Sequence, residues 1–196
     1  MHETFITAHA GALNTRPNTL DSVRAALSGG ADILEVDVRF LPDGTPALGH
    51  NHVGPNSARL EDVFALMRDS SIQINLDMKE TAHVPRMVEL VVQYGLQGRA
   101  FMTGLSAQAC EALRDCGLPY YLNGASPAAA KALGALGVNI HYGKCSRKLV
   151  RGAHEAGLLV SAWTVDSPRA MRRMLRRGAD NITTRRPDVL QELMNA

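Results

Sequence analysis

Two carboxylates, Glu35 and Asp37, stand two residues apart in the apolar run "ILEVDVRF" (33–40). On a strand, residues at that spacing point to the same side. Two carboxylates facing one way repel, and each loses hydration on burial, unless a cation compensates. A second apolar run, "NLDMK" (75–79), repeats the device with Asp77 two positions before Lys79. Three carboxylates plus waters suit a hard divalent cation, Mg²⁺ or Ca²⁺. The same spacing also suits a metal-free ion-pair network with Arg39 and Lys79. Imidazoles, which accept and donate protons near neutrality, follow two further apolar stretches: His9 in "FITAHAG" and His50 in "LGHNH". His50 and His52 form a His-x-His pair that could share a metal. That pair raises a weaker alternative, a metal-dependent hydrolase of non-phosphate substrates, for which only His141 among the remaining histidines is suitably placed. His52 reads more simply as an exposed loop residue, and His2, His83 and His154 as surface residues.

The elements that must position these groups alternate along the chain. Strand-like runs are "FITAHA", "ILEVDVRF", "IQINLDMK", "RAFMTG", "PYYLNG", "VNIHYG", "LLVSAWTV" and "NITTRR". Helical patterns lie between them, from "NTLDSVRAALSGG" to "PDVLQELMNA", many opening on Ser or Asn and closing on Gly. Strict alternation implies parallel strands with crossover helices. Eight such units are the number that closes a (β/α)₈ barrel of the TIM type. The expectation is therefore an α/β fold, a compact barrel with short loops, forming a single domain over residues 1–196. An open doubly wound sheet is the rival, but "AHAGALNTRPNT" after the first strand is not GxGxxG. In a barrel the C-terminal strand ends carry function. Those ends present His9; Glu35 and Asp37, with His50 in the loop or short strand beyond; Asp77 and Lys79; Thr103; Asn123; His141 and Lys144; Trp163 and Asp166; and Thr183 with Thr184.

Composition bounds the setting. The chain of 196 residues is 45% hydrophobic and 20% charged, ordinary for a globular protein, and its net charge of +2 favours no class of partner. "RAMRRMLRRG" lies on a helical pattern and reads as a solvated basic face, so no nucleic-acid partner is expected. Cys110, Cys116 and Cys145 have neither zinc spacing nor disulfide spacing. With no signal-peptide pattern and no membrane-spanning run, the expected location is the cytoplasm. The oligomeric state is left open.

In order, "AHAG" (8–11), "RPNTL" (16–20), "GADILEVDV" (30–38), "PDG" (42–44), "GHN" (49–51), "NLDMK" (75–79) and "SAWTVDSPRAMRRMLRRGADNITTRRPDVL" (161–190) resemble the glycerophosphodiester phosphodiesterases. The resemblance spans nearly the whole chain, with specific ends and a generic middle third. It implies an enzyme of lipid metabolism that hydrolyses a small-molecule phosphodiester. His9 and His50 would be its catalytic acid–base pair, and Glu35, Asp37 and Asp77 its ligands for Mg²⁺ or Ca²⁺. Lys79 would be a cation near the phosphate. Asn123, His141 and Trp163 are further candidate substrate contacts; Trp163 could wall the pocket against an alkyl or glycerol group.

The chain departs from the family pattern at four positions. Ala10 stands where the pattern has Arg, removing a bidentate phosphate donor; Asn51 replaces Asp, Asp77 replaces Glu, and Pro17 replaces the Glu of the helix start. The substantial insertion that follows the second His in the family, and caps the mouth, is missing: "HNHVGPNSARLEDV" runs almost directly into the next helix. These departures raise a second function, a catalytically weakened barrel that binds a phosphorylated ligand or a protein partner.

Overall fold

The run "ILEVDVRF" forms one uninterrupted strand because its β-branched and aromatic members can be buried on the outer side while its charged members face inward. The computed structural model describes residues 4–124 and 126–195, and among them are nine strands and eight α-helices. The strands are β1 (Phe5–Ala8), β2 (Ile33–Phe40), β3 (Pro46–Leu48), β4 (Gln73–Met78), β5 (Ala100–Leu105), β6 (Tyr120–Asn123), β7 (Gly137–His141), β8 (Leu159–Trp163) and β9 (Asn181–Thr184). The helices are α1 (Leu20–Ser28), α2 (Leu60–Leu66), α3 (Val84–Gln93), α4 (Ala107–Ala112), α5 (Pro127–Ala132), α6 (Arg147–Glu155), α7 (Pro168–Arg177) and α8 (Pro187–Asn195).

All strands except β3 pair in parallel, in the order β1-β9-β8-β7-β6-β5-β4-β2, and β1 pairs back onto β2. This is the closed eight-stranded TIM barrel that the alternation predicts. The short β3 lies antiparallel on β2, with Leu48 opposite Val38, and returns the chain to the barrel mouth just before His50.

Packing divides the strand residues cleanly. Leu34, Val36, Val38 and Phe40 join the main apolar cluster between barrel and helices. Their inward neighbours face the barrel axis. There Ile33, Phe101 and Tyr121, near the N-terminal ends of their strands, form a separate small cluster that floors the barrel. Above it the interior is polar. Thr7, Asn75, Thr103, Asn139, Ser161, Asn181 and Thr183 are all buried, and several satisfy one another, as in Thr7 Oγ1 to Asn181 Oδ1 at 2.6 Å. Five of the helix starts are fixed by side-chain caps. Thr19, Ser106, Ser126, Ser146 and Ser167 each accept the N–H three residues on. Asn18, which opens the first helical pattern in the sequence, is not the cap of α1; it is turned toward the site. No helix of the described residues is long and apolar enough to cross a membrane.

Candidate active site

Strand register gathers the acidic residues. Asp37 on β2 stands opposite Asp77 on β4, and Asp77 opposite Thr103 on β5; Glu35 lies one pleat deeper than Asp37. Each of Glu35, Asp37 and Asp77 offers a carboxylate oxygen within 4.8 Å of the others. At that separation, and an effective dielectric near 20, each pair of charges repels by roughly 3–4 kcal/mol. Among the described residues, Lys79 is the cation that compensates within the acidic cluster: its ammonium lies 2.8 Å from Asp37 Oδ1 and also binds Asp77 Oδ2. Arg39 does not join them. It pairs with Glu80 at 3.2 Å, and its Nε donates to the carbonyl of His50 at 3.0 Å. The network with Arg39 that the spacing allowed is therefore replaced by one in which Arg39 braces the His50 loop.

Burial, followed by the charges of Asp77 and Asp37, drives the pKa of Glu35 well above the usual carboxylate value. Burial disfavours the charged form of Lys79, but the charges and hydrogen bonds of Asp77 and Asp37 outweigh it and raise its pKa. Three convergent carboxylates against one ammonium leave an excess of negative charge in a half-enclosed pocket. An all-oxygen donor set of that charge fits a hard divalent cation, and Glu35, Asp37 and Asp77 are the residues that would hold it.

Each carboxylate is also oriented from outside the cluster. The Ala10 N–H donates to Glu35 Oε2 at 2.7 Å. Asn18 Nδ2 donates to Asp37 Oδ2 at 2.7 Å, and Asn18 Oδ1 accepts the Asp37 N–H at 3.3 Å. Thr103 Oγ1 lies 2.9 Å from Asp77 Oδ1. Gly104, with φ +78°, makes room beside it: a Cβ there would stand 2.7 Å from Asp77 Oδ1 and 2.4 Å from the Met78 carbonyl. The strand register shifts between Met102 and Leu105, so a bulge at Gly104 accommodates the carboxylate.

The acidic cluster opens into a cavity of about 570 Å³ also lined by His9, His50, Lys79, Asn123, Trp163 and Arg185. His9 extends from the end of β1, with Nδ1 at 2.8 Å from the Ala10 carbonyl and 3.9 Å from Glu35 Oε2. A carbonyl only accepts, so this contact places the proton on Nδ1 and leaves Nε2 the basic nitrogen of the neutral ring. Burial lowers the pKa of His9; the Ala10 contact opposes that shift and the positive charge of Arg185 adds to it. His50 is exposed at the rim, its Nδ1 2.9 Å from Asn51 Oδ1.

Of the candidate substrate contacts, Lys79, Asn123 and Trp163 line the cavity. Asn123 is tied to the walls, its Oδ1 accepting from the Gly104 N–H at 3.1 Å and from Asn139 Nδ2 at 3.0 Å. His141 is not a wall residue. It packs edge-on against Trp163 with ring centroids 5.6 Å apart. His52 lines a different depression, with Arg39, Phe40 and Glu80, so the His-x-His pair does not converge. Asn18 and Arg185 contribute to the site without having stood out in the sequence. Asn18 lay within a quoted motif but carried no signal beyond helix initiation. Arg185 lay within the closing motif, where its neighbour Arg186 looks equivalent.

The family model described as the glycerophosphoryl diester phosphodiesterase family matches residues 9–73 and 56–189. The chain belongs to that family. Family membership makes it an enzyme, a phosphoric diester hydrolase. A glycerophosphodiester phosphodiesterase of Caldanaerobacter subterraneus subsp. tengcongensis is 22% identical, the match covering 98% of each chain. That alignment runs over 245 positions, more than the 196 residues of this chain, so the relative carries segments that are missing here. Glycerophosphodiester phosphodiesterase GDPD4 of Arabidopsis thaliana is 25% identical over 98% of this chain and 74% of its own. Among solved structures, a glycerophosphodiester phosphodiesterase from Parabacteroides distasonis superposes with a TM-score of 0.89 at 21% identity, covering 99% of this chain and 98% of that one. An Oleispira antarctica phosphodiesterase, solved in complex with the product sn-glycerol-3-phosphate, gives 0.85 at 17%, covering 99% and 98%. These structural likenesses speak for the fold. The two pieces of the family match overlap at 56–73.

Proposed function

We propose that this phosphodiesterase hydrolyses a glycerophosphodiester, with a divalent cation on Glu35, Asp37 and Asp77 and with His9 and His50 as its proton-transfer pair. The observation that carries the reading is the convergence of three carboxylates and two histidines on one cavity at the C-terminal mouth of the barrel. When bound, a divalent ion would supply electrostatic stabilisation of charge on the non-bridging oxygens. The remaining work falls to the chain. His9, held neutral by burial and with Nε2 free, takes the proton of the attacking oxygen. His50, at the rim with Asn51 beside its Nδ1, donates to the departing alkoxide. Asn123 and Trp163 shape the wall against which the alcohol portion rests. The attacking oxygen comes from water or from the substrate's own neighbouring hydroxyl, and ³¹P NMR of the product distinguishes these, since only the second gives a cyclic phosphate.

The chain acts as one domain in this reading. Its described cysteines, Cys110, Cys116 and Cys145, are free thiols, in keeping with the reducing, cytoplasmic setting we infer. The test is hydrolysis of a panel of glycerophosphodiesters and bis(4-nitrophenyl) phosphate with Mg²⁺, with Ca²⁺ and with EDTA. Activity is expected to vanish in EDTA and in His9→Ala. No turnover of any diester, together with metal-independent binding of a phosphorylated ligand, would establish the weakened, binding-only barrel instead.

A further inference from the structure

We propose that Arg185 is the guanidinium that engages the anionic oxygens of the diester, and that Asp166 is its positioning residue. The inference rests on the phosphodiester reading above and deepens it at one contact.

Free positive charge is scarce in the cavity. A phosphodiester monoanion entering this cavity meets a wall of three carboxylates. Among the described residues lining the cavity, the permanently charged cations are Lys79 and Arg185. The Lys79 ammonium is already committed to both Asp37 and Asp77, so drawing it to a phosphate would unbalance the acidic cluster. Position 10 offers no cation: Ala10 is buried, 3% exposed, and meets the site only through its backbone, the N–H on Glu35 and the carbonyl on His9. Arg185 remains.

Its placement follows from strand register. Ala8 of β1 pairs with Thr184 of β9, so His9 and Arg185 leave adjoining strands side by side. Two backbone bonds fix the pair, from the His9 N–H to the Thr184 carbonyl and from the Leu13 N–H to the Arg185 carbonyl, each 2.9 Å. Asp166, in the loop after β8, then holds Arg185 at both ends. Its Oδ1 accepts the Arg185 backbone N–H at 2.8 Å, and its Oδ2 accepts from Nη1 at 2.7 Å. The same Oδ1 lies 3.3 Å from the Thr184 hydroxyl. A guanidinium has five N–H donors. Among the described residues Asp166 is its only acceptor, so a planar fork is left to offer the two non-bridging oxygens of a diester. The charge of Arg185 is also felt at His9, which sets it near the reacting centre. A guanidinium that the family pattern places directly after the first histidine is here supplied across the β1–β9 seam.

The experiment reads turnover and binding separately. Wild type, Arg185→Gln, Arg185→Lys, Asp166→Asn and the double variant Arg185→Gln/Asp166→Asn are assayed with a glycerophosphodiester and Mg²⁺. Inorganic phosphate binding is measured by calorimetry on the same Mg²⁺-loaded samples, and thermal midpoints check folding. Arg185→Gln is expected to lower kcat/KM by about 10²–10³-fold, the scale for one preorganised donor to developing charge. It should also weaken phosphate binding at least tenfold at an unchanged thermal midpoint. Arg185→Lys, which keeps the charge but loses the fork, should recover only a minor part. Asp166→Asn should raise KM in the wild-type background and add little to Arg185→Gln, because a residue that acts through another gives non-additive losses. Unaltered phosphate affinity in Arg185→Gln, or an Asp166→Asn effect that persists undiminished in the double variant, would overturn the assignment. If wild type turns over no diester, the hydrolytic reading fails while the phosphate titration still decides the role of Arg185.

Discussion

Asp37 shows how much of a site is set by residues that never touch the reacting atoms. One of its oxygens meets Lys79 and the other meets the amide of Asn18, which also receives the Asp37 N–H. Asn18 does this from a left-handed backbone conformation, φ +59°, that asparagine tolerates better than most residues. Replacing it with alanine would mix backbone strain with loss of the hydrogen bonds. Asn18→Gly separates them, since glycine keeps the conformation at little cost. Asn18→Gly is expected to lower Mg²⁺ affinity by about 10–100-fold, the usual effect of releasing a ligand from its supporting hydrogen bond, with little change in thermal midpoint. Calorimetric titration of Mg²⁺ checks it, and an unchanged affinity would mean that Lys79 alone orients Asp37. The carboxylates themselves were legible in the sequence because period-2 spacing fixes which side a residue takes. Asn18 was not, because its role depends on how the chain turns between β1 and α1, which no local pattern encodes. Arg39 leaves the acidic cluster for a related reason: it keeps the alternation parity, but at the end of β2 its long side chain reaches past the mouth to Glu80.

At the scale of elements, the eight strands and helices were readable from alternation and from Ser residues at helix starts, while the departures from regular geometry were not. The bulge in β5 is the consequential one. Gly104 lets the strand swing aside so that Asp77 can occupy the space a Cβ would fill, and its N–H is bound by Asn123 of the next strand. Sequence shows only "MTGL", in which glycine could equally mark a strand end. Gly104→Ala combines a positive φ with a contact of 2.4 Å to backbone oxygen, an obstacle no rotamer change relieves. The variant is expected to lose about 2–4 kcal/mol of stability, the combined scale for a disfavoured backbone conformation and overpacking, and to displace Asp77. Urea denaturation should report the first effect. Loss of Mg²⁺ binding in the remaining folded protein should report the second, and a variant that binds Mg²⁺ normally would show that Asp77 does not depend on the bulge.

For the molecule as a whole, the barrel concentrates negative charge at one end of its axis, so that stability, pH and cation binding become linked. With its folded-state pKa raised above 4.5, Glu35 retains a proton in the folded chain that it gives up in the unfolded one as pH rises past that value. Stability changes with pH in proportion to protons bound unfolded minus protons bound folded. In the metal-free protein the Glu35 contribution therefore falls as pH climbs from 4.5 through the raised value. His9 acts in the opposite sense. Its folded-state pKa lies below 6.5, so its contribution grows with pH in the window just under 6.5. In EDTA, the Glu35 contribution should make the thermal midpoint decline as pH rises above 4.5. Glu35→Gln should remove that decline and expose the rise that His9 gives just under pH 6.5. Saturating Mg²⁺, which requires ionised ligands, should release protons on binding and stabilise the wild type most at the alkaline end. At one hundred times its Kd a ligand adds about 2.7 kcal/mol, or roughly 5–10 °C for a domain of this size. Scanning calorimetry across pH, with and without Mg²⁺, measures all three. A midpoint that is flat with pH in EDTA and indifferent to Mg²⁺ would mean that the carboxylates are balanced by Lys79 alone, and would remove the cation from the proposed chemistry.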